Sequence, residues 1–191
     1  MQRLLSDGGM LLAVLAMLAG CASRKPLGEL PDGLGVLHLH TTNTRSWCSG
    51  VPPPDQDHAT PKPWSTVWYV RPVDKVDDRD RATNDPKKPV LDSLHTAADG
   101  HGHLRLPPGT YILVDRDRVD IARYQHLLRE HAEPTQHRKA INKKCLDTWL
   151  HGPFPTVTIT AGDTTHVERD THVPCSWQNV PCAPWDGPLP P

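Results

Sequence analysis

The sequence predicts a mainly β protein: an antiparallel β-sandwich with a short helical insert, stapled by disulfides. Three observations predict it. Proline is abundant, at 21 of 191 residues, and stretches rich in β-branched residues alternate with turn signals, the pattern of a sandwich with long loops. The middle of the chain reads strand, Asp-Gly turn, strand, Pro-Pro-Gly bend, strand. Only across about 119–150 does the apolar period lengthen to that of a helix.

Before the domain comes an export signal. Met10-Leu11-Leu12-Ala13-Val14-Leu15-Ala16-Met17 ends in Leu18-Ala19-Gly20-Cys21. This run of about a dozen residues falls short of the roughly 20 needed to span a bilayer, and small residues at the cut mark a secretory signal. A cysteine just after the cut supplies the thiol that takes lipid, so residues 1–20 are expected to be a lipoprotein signal peptide and Cys21 the lipidated residue. Arg3 is the only cation before the run and Asp7 opposes it, so Met10 is an alternative start. Ala22 follows Cys21 where Asp would favour the inner membrane under the proteobacterial sorting rule. The expected location is therefore the outer membrane, lipid-anchored and facing the periplasm, with exposure at the cell surface as the alternative. Residues 21–34, polar and broken by Pro and Gly, read as a tether, and 35–191 as the domain.

The first strand, Val36 to Thr42, alternates so that Val36, His38, His40 and Thr42 share one face and Leu37, Leu39 and Thr41 the other. After a Pro-rich loop to Pro63, Ser65–Arg71 is a second strand. The charged stretch 72–89 reads as an exposed loop. Val90–Thr96, His103–Leu106 and Thr110–Val114 follow as strands, with Asp99-Gly100 turning the chain and Pro107-Pro108-Gly109 bending it. Ile121, Tyr124 and Leu128, with Leu127 beside them, mark one helix face that stops near Glu133-Pro134. Ile141, Cys145 and Trp149 mark a second, ended by Gly152-Pro153, which places Cys145 on the buried face. Residues 155–160 and 164–173 return to strand.

With Cys21 lipidated, Cys48, Cys145, Cys175 and Cys182 remain of five cysteines. In an oxidising compartment these predict two disulfides, with three pairings open. The short Cys175–Cys182 loop closes at least entropic cost, which favours that bridge and leaves Cys48 to Cys145. Their spacing is not that of paired C-x-x-C zinc ligands.

The run Ala98-Asp99-Gly100-His101-Gly102-His103-Leu104-Arg105-Leu106-Pro107-Pro108-Gly109-Thr110-Tyr111 resembles the hallmark of carboxypeptidase regulatory-like domains, also called prealbumin-like or transthyretin-like. It departs from their pattern in that Gly100 follows Asp99 directly and His103 or Leu104 stands where Phe is usual. Trp47-Cys48-Ser49-Gly50, the Cys145…Trp149 helix, and the Cys175…Cys182 tail ending Gly187-Pro188-Leu189-Pro190-Pro191 are similar to segments of bacterial lipoproteins carrying such a domain. The resemblance implies a prealbumin-like sandwich with Tyr111 packed inside. It transfers no active site, because in enzymes this domain is an accessory module.

Charge and residue chemistry narrow the function further. A net charge of −1 offers no basic field for nucleic acid. Ser49 and Ser93 lack a nucleophile's context, and Asp77-Asp78 lie in a charged loop, so no catalytic residue is expected. Trp64 and Trp68 share a strand face. They could wall a carbohydrate or peptide site, but with Phe154 the only Phe they are expected to fill the core. His38-x-His40 and His101-x-His103 each project two imidazoles from one face, roughly 7 Å apart. If their strands adjoin, His38, His40, His101 and His103 could hold Zn²⁺ or Cu²⁺; His166 and Glu168 share a face in the same way. The expectation is a non-catalytic binding or structural module of the cell envelope, needing no cofactor, attached to the membrane through Cys21 and meeting an envelope protein or glycan. A periplasmic metal-binding protein is the alternative.

Overall fold

A computed structural model describes residues 33–48 and 60–188. The signal peptide, Cys21, most of the tether and Ser49 lie outside the described residues. In chain order the elements are β1 (Gly35–Arg45), β2 (Lys62–Pro63), β3 (Val67–Pro72), β4 (Arg81–Ala82), β5 (Asp92–His95), β6 (His101–Leu106), β7 (Gly109–Asp115), α1 (Ile121–Glu130), α2 (Lys143–His151), β8 (Phe154–Ile159) and β9 (Thr164–Val173).

They form a β-sandwich of two mainly antiparallel sheets. In the first, β1 pairs antiparallel with β6 and β2 along one edge and parallel with β9 along the other. In the second the order is β4-β8-β7-β3-β5. The β1–β9 pairing is parallel over ten residue pairs, Val36↔Thr164 to Arg45↔Val173, where the sequence predicted an antiparallel sandwich. The chain crosses between sheets at 160–163, and the Asp163 carbonyl accepts from Val36 N–H at 2.8 Å. So β9 begins beside the start of β1 and runs the same way.

Alternation sets the core. Leu37 and Leu39 of β1 meet Trp68, Val70, Leu94, Tyr111, Leu113, Val157 and Ile159 between the sheets. Tyr111 is 4% exposed, and its hydroxyl donates to the Pro107 carbonyl at 2.7 Å. The ring thus fills the core while its polar end ties down the Pro-Pro-Gly bend, as tyrosine does at other sandwich corners. At the preceding turn Gly100 has φ +79°, and a Cβ there would lie 2.4 Å from the Thr41 carbonyl, so only glycine fits.

Three expectations need correction. The stretch 72–89 is not simply an exposed loop. It contributes β4 and carries Asn84, which is fully buried. Asn84 accepts from Arg71 Nη1 at 2.9 Å and donates Nδ2 to the Arg118 and Leu150 carbonyls at 2.9 and 3.0 Å. A loop bound into a knot of buried polar groups cannot leave the surface it covers. Second, Cys145 is exposed; the buried residues of α2 are Leu146 and Leu150, which meet Tyr124 and Leu127 of α1. The helix turns its leucines to α1 and Cys145 toward the tail. Third, the disulfides are Cys48–Cys175 and Cys145–Cys182. Because β1 and β9 are parallel, both run out at one end of the sheet, and the residues just beyond them, Cys48 and Cys175, meet. The tail lies along the segment before α2, with Asn142 N–H on the Cys182 carbonyl at 2.9 Å, so Cys182 meets Cys145.

Candidate functional site

The fold brings the sequence-predicted histidines together. On the open face of the first sheet, His38 stands between His103 of β6 and His166 of β9, and His40 between His101 and Glu168. His40 and His101 stack with centroids 4.2 Å apart, His38 and His101 at 5.3 Å, and His38 meets His166 edge-on at 4.9 Å. Nδ1 of His38 and Nδ1 of His166 share a hydrogen bond of 2.9 Å, and His40 Nδ1 lies 2.7 Å from Glu168 Oε2. The row continues with Asp170, which accepts from the Thr42 and Thr44 hydroxyls, and with His172 on the Ser46 hydroxyl.

Adjacent strands are what the metal alternative required, but His101 stacks on His38 and His40, and the Nδ1 atoms of His38 and His166 are taken up with each other. Stacked imidazoles hold their lone pairs in near-parallel planes, and among the described residues no three His, Cys, Asp or Glu side chains are placed to hold an ion. Partial burial, then the neighbouring His166, His101 and His103, push the His38 pKa below its ordinary value, against a smaller opposing pull from Glu168.

A second feature lies at one open side of the sandwich: a cleft of about 760 Å³. Its walls come from both sheets, from α2 and from the tail: Trp64 and Trp68, Trp149, Pro174, and 169–172 of β9. Trp68 is buried as expected from composition, yet its Nε1–H has no hydrogen-bond partner among the described residues. Trp64, by contrast, is only half-buried and stands at the mouth.

Arg169 is the residue sequence reasoning missed. Along β9, Thr165, Val167, Arg169, Thr171 and Val173 are half-buried and the residues between them exposed, and Val167 packs on the core. Arg169 therefore occupies an inward position. Its Nη1 donates to the Glu168 carbonyl at 3.2 Å, and no carboxylate lies within ion-pair distance among the described residues. Loss of water lowers its pKa. A lone cation in the apolar phase of an alternating strand was the available signal.

The other candidates have structural roles. Asp77 closes a turn, accepting from the Arg79 and Arg81 amides and the Arg81 side chain. Ser93 sits in β5.

No protein-family model matches the chain, and no curated protein matches it. Among solved structures it is similar to GBS52, the minor pilin of Streptococcus agalactiae, at 17% identity and TM-score 0.34, covering 74% of this chain and 45% of that one. It is also similar to the Bacillus anthracis TIE protein, at 9% identity and TM-score 0.33, covering 73% of this chain and 16% of that one. The chain thus spans less than half the length of either, and likeness this distant carries no function across.

Proposed function

We propose that this chain is a lipoprotein anchored to the outer membrane through lipid on Cys21, displaying a non-catalytic binding module to the periplasm. The observation that carries the reading is the cysteine count. Four of five cysteines pair with one another, as befits an oxidising compartment. The fifth, Cys21, closes the Leu-Ala-Gly-Cys signal. Several acyl chains on one residue give stable anchoring, and residues 22–34 are long enough to hold the sandwich clear of the bilayer. The cleft, with its tryptophans and an arginine that has no ion pair among the described residues, supports a binding role, because pockets that recognise ligands combine apolar walls with a few directed polar groups.

Fractionation of Cys21→Ser tests the anchor. The variant is expected in the soluble periplasmic fraction, and the wild type in membranes with acyl mass on Cys21. A wild type without acyl mass, or a variant still in membranes, overturns it.

A further inference from the structure

We propose that the open edge of β9 and the cleft beside it form a receptor for an extended peptide strand of a partner protein, with an acidic side chain of that strand set against Arg169. This deepens the binding-module reading and rests on it, but not on the anchor at Cys21.

Three observations point to a strand as the ligand. First, the edge is free. The ladder phase is fixed by its ends: Val36 N–H donates to Asp163, and Ser46 N–H to Val173. The odd-numbered residues of β9 therefore turn their backbone groups to β1, and His166, Glu168, Asp170 and His172 turn theirs outward. Among the described residues no backbone group of the protein meets them. Unpaired edge groups of this kind are a template for strand addition.

Second, the cleft runs along that edge. It is lined by Arg169, Asp170, Thr171 and His172, four consecutive residues. A groove over one face of a strand touches alternate residues, whereas one along its edge touches them all. A strand laid there sends every second side chain into the cleft that Trp64, Trp68 and Leu113 line, and the others to solvent.

Third, the cleft holds Asp115, Asp117 and Asp170 as well as Arg116, Arg118 and Arg169, yet Arg169 has no ion pair among the described residues. Arg169 points inward with no carboxylate partner among the described residues, and Nη1 rests on the outward carbonyl of Glu168. Without a ligand, an inward charge guards an edge against indiscriminate pairing. An acidic side chain on the incoming strand draws the guanidinium off that carbonyl, which then accepts an inter-strand bond. The guard so becomes the selector, because a neutral or basic strand leaves a half-buried cation uncompensated.

The test uses two six-residue, end-capped peptides, alternating Val and Thr, with Glu or Lys at one inward position. Binding is read by fluorescence of the cleft tryptophans, against wild type, Arg169→Glu and His172→Pro. The His172 N–H faces the open edge, so proline there removes a docking donor but no β1–β9 bond; thermal melts confirm that both variants fold. The expected result is wild-type preference for the Glu peptide by about tenfold or more, reversal of that preference in Arg169→Glu, and loss of binding in His172→Pro. Equal affinity for both peptides, no binding by wild type, or unchanged binding by His172→Pro overturns the proposal. So does concentration-dependent dimerisation that His172→Pro abolishes without any peptide binding, which assigns the edge to a second copy of the chain. Release of Cys21→Ser from membranes is read separately, so either idea can fail alone.

Discussion

The two sheets solve the same problem differently. The first is covered on one side only: β1 alternates, with Leu37, Leu39 and Thr41 in the core and His38, His40 and Thr42 toward water. The second is covered on both. In β7, Tyr111 and Leu113 face the other sheet, while Ile112 and Val114 lie under Ala82, Phe154 and Val73. Four successive apolar residues in β7 and alternation from Leu37 to His40 in β1 record that difference in the sequence. It teaches where chemistry can reside: the covered sheet is held by buried polar knots, and the open one leaves its side chains and an edge for others to meet.

Removing the disulfides tests how each layer is clamped. Cys48–Cys175 joins the ends of β1 and β9 in the open sheet, and Cys145–Cys182 ties the cover of the other. Sequence separations of 127 and 37 residues give about 5 and about 4 kcal/mol in the chain-entropy model. The double Ser variant at Cys48 and Cys175 should therefore melt at the lower denaturant concentration; the reverse order would mean that the cover, not the open sheet, limits stability.

Next, Tyr111→Ala is expected to destabilise by about 3–5 kcal/mol, and Tyr111→Phe by about 1 kcal/mol through loss of the bond to Pro107. Equal losses in chemical denaturation would show that the hydroxyl, not the ring, holds the corner.

The contrast itself is sharpened by a matched pair of polar truncations. Asn84→Ala takes one acceptor from the Arg71 guanidinium, which keeps the Asp85 and Val119 carbonyls, and the donor from two carbonyls beneath the cover, at about 2–3 kcal/mol. Thr42→Ala removes an exposed bond to Asp170 and should stay within about 0.5 kcal/mol. Similar values from urea unfolding would erase the distinction between the sheets.

The smallest effect is that of pH. His38 has a folded pKa below its unfolded 6.5, so as pH falls through about 6.5 the unfolded chain takes up the proton first. Its contribution is thus present above that value and lost as pH drops toward the folded pKa. Thermal melts should show wild type losing stability between neutral and mildly acidic pH, and His38→Gln losing less. Identical slopes would remove the histidine row as a source of acid sensitivity.

Much of the candidate site was legible one strand at a time. The pairs His38-x-His40, His101-x-His103 and His166-x-Glu168 showed which side chains share a face, but not that the three strands adjoin, because register belongs to the sheet and not to the strand. Arg169 was visible as a charge in an apolar phase, yet its isolation depends on every other element of the cleft. Likewise, 72–89 has the composition of a solvated loop, and only the positions of Arg71, Arg118 and Leu150 make Asn84 a buried hub.

By itself the sequence determined the local structure: the alternation of β1, the Asp99-Gly100 turn, the bend that Tyr111 secures, and two helices with their apolar faces in outline. It also determined that the domain cysteines would pair. The tertiary structure decided which ones. Loop entropy favoured Cys175 with Cys182, because along the chain they are near neighbours. The parallel course of β1 and β9 outweighed this, since it delivers Cys48 and Cys175 to the same end of one sheet, and a disulfide forms only where two Cα atoms come within about 7 Å.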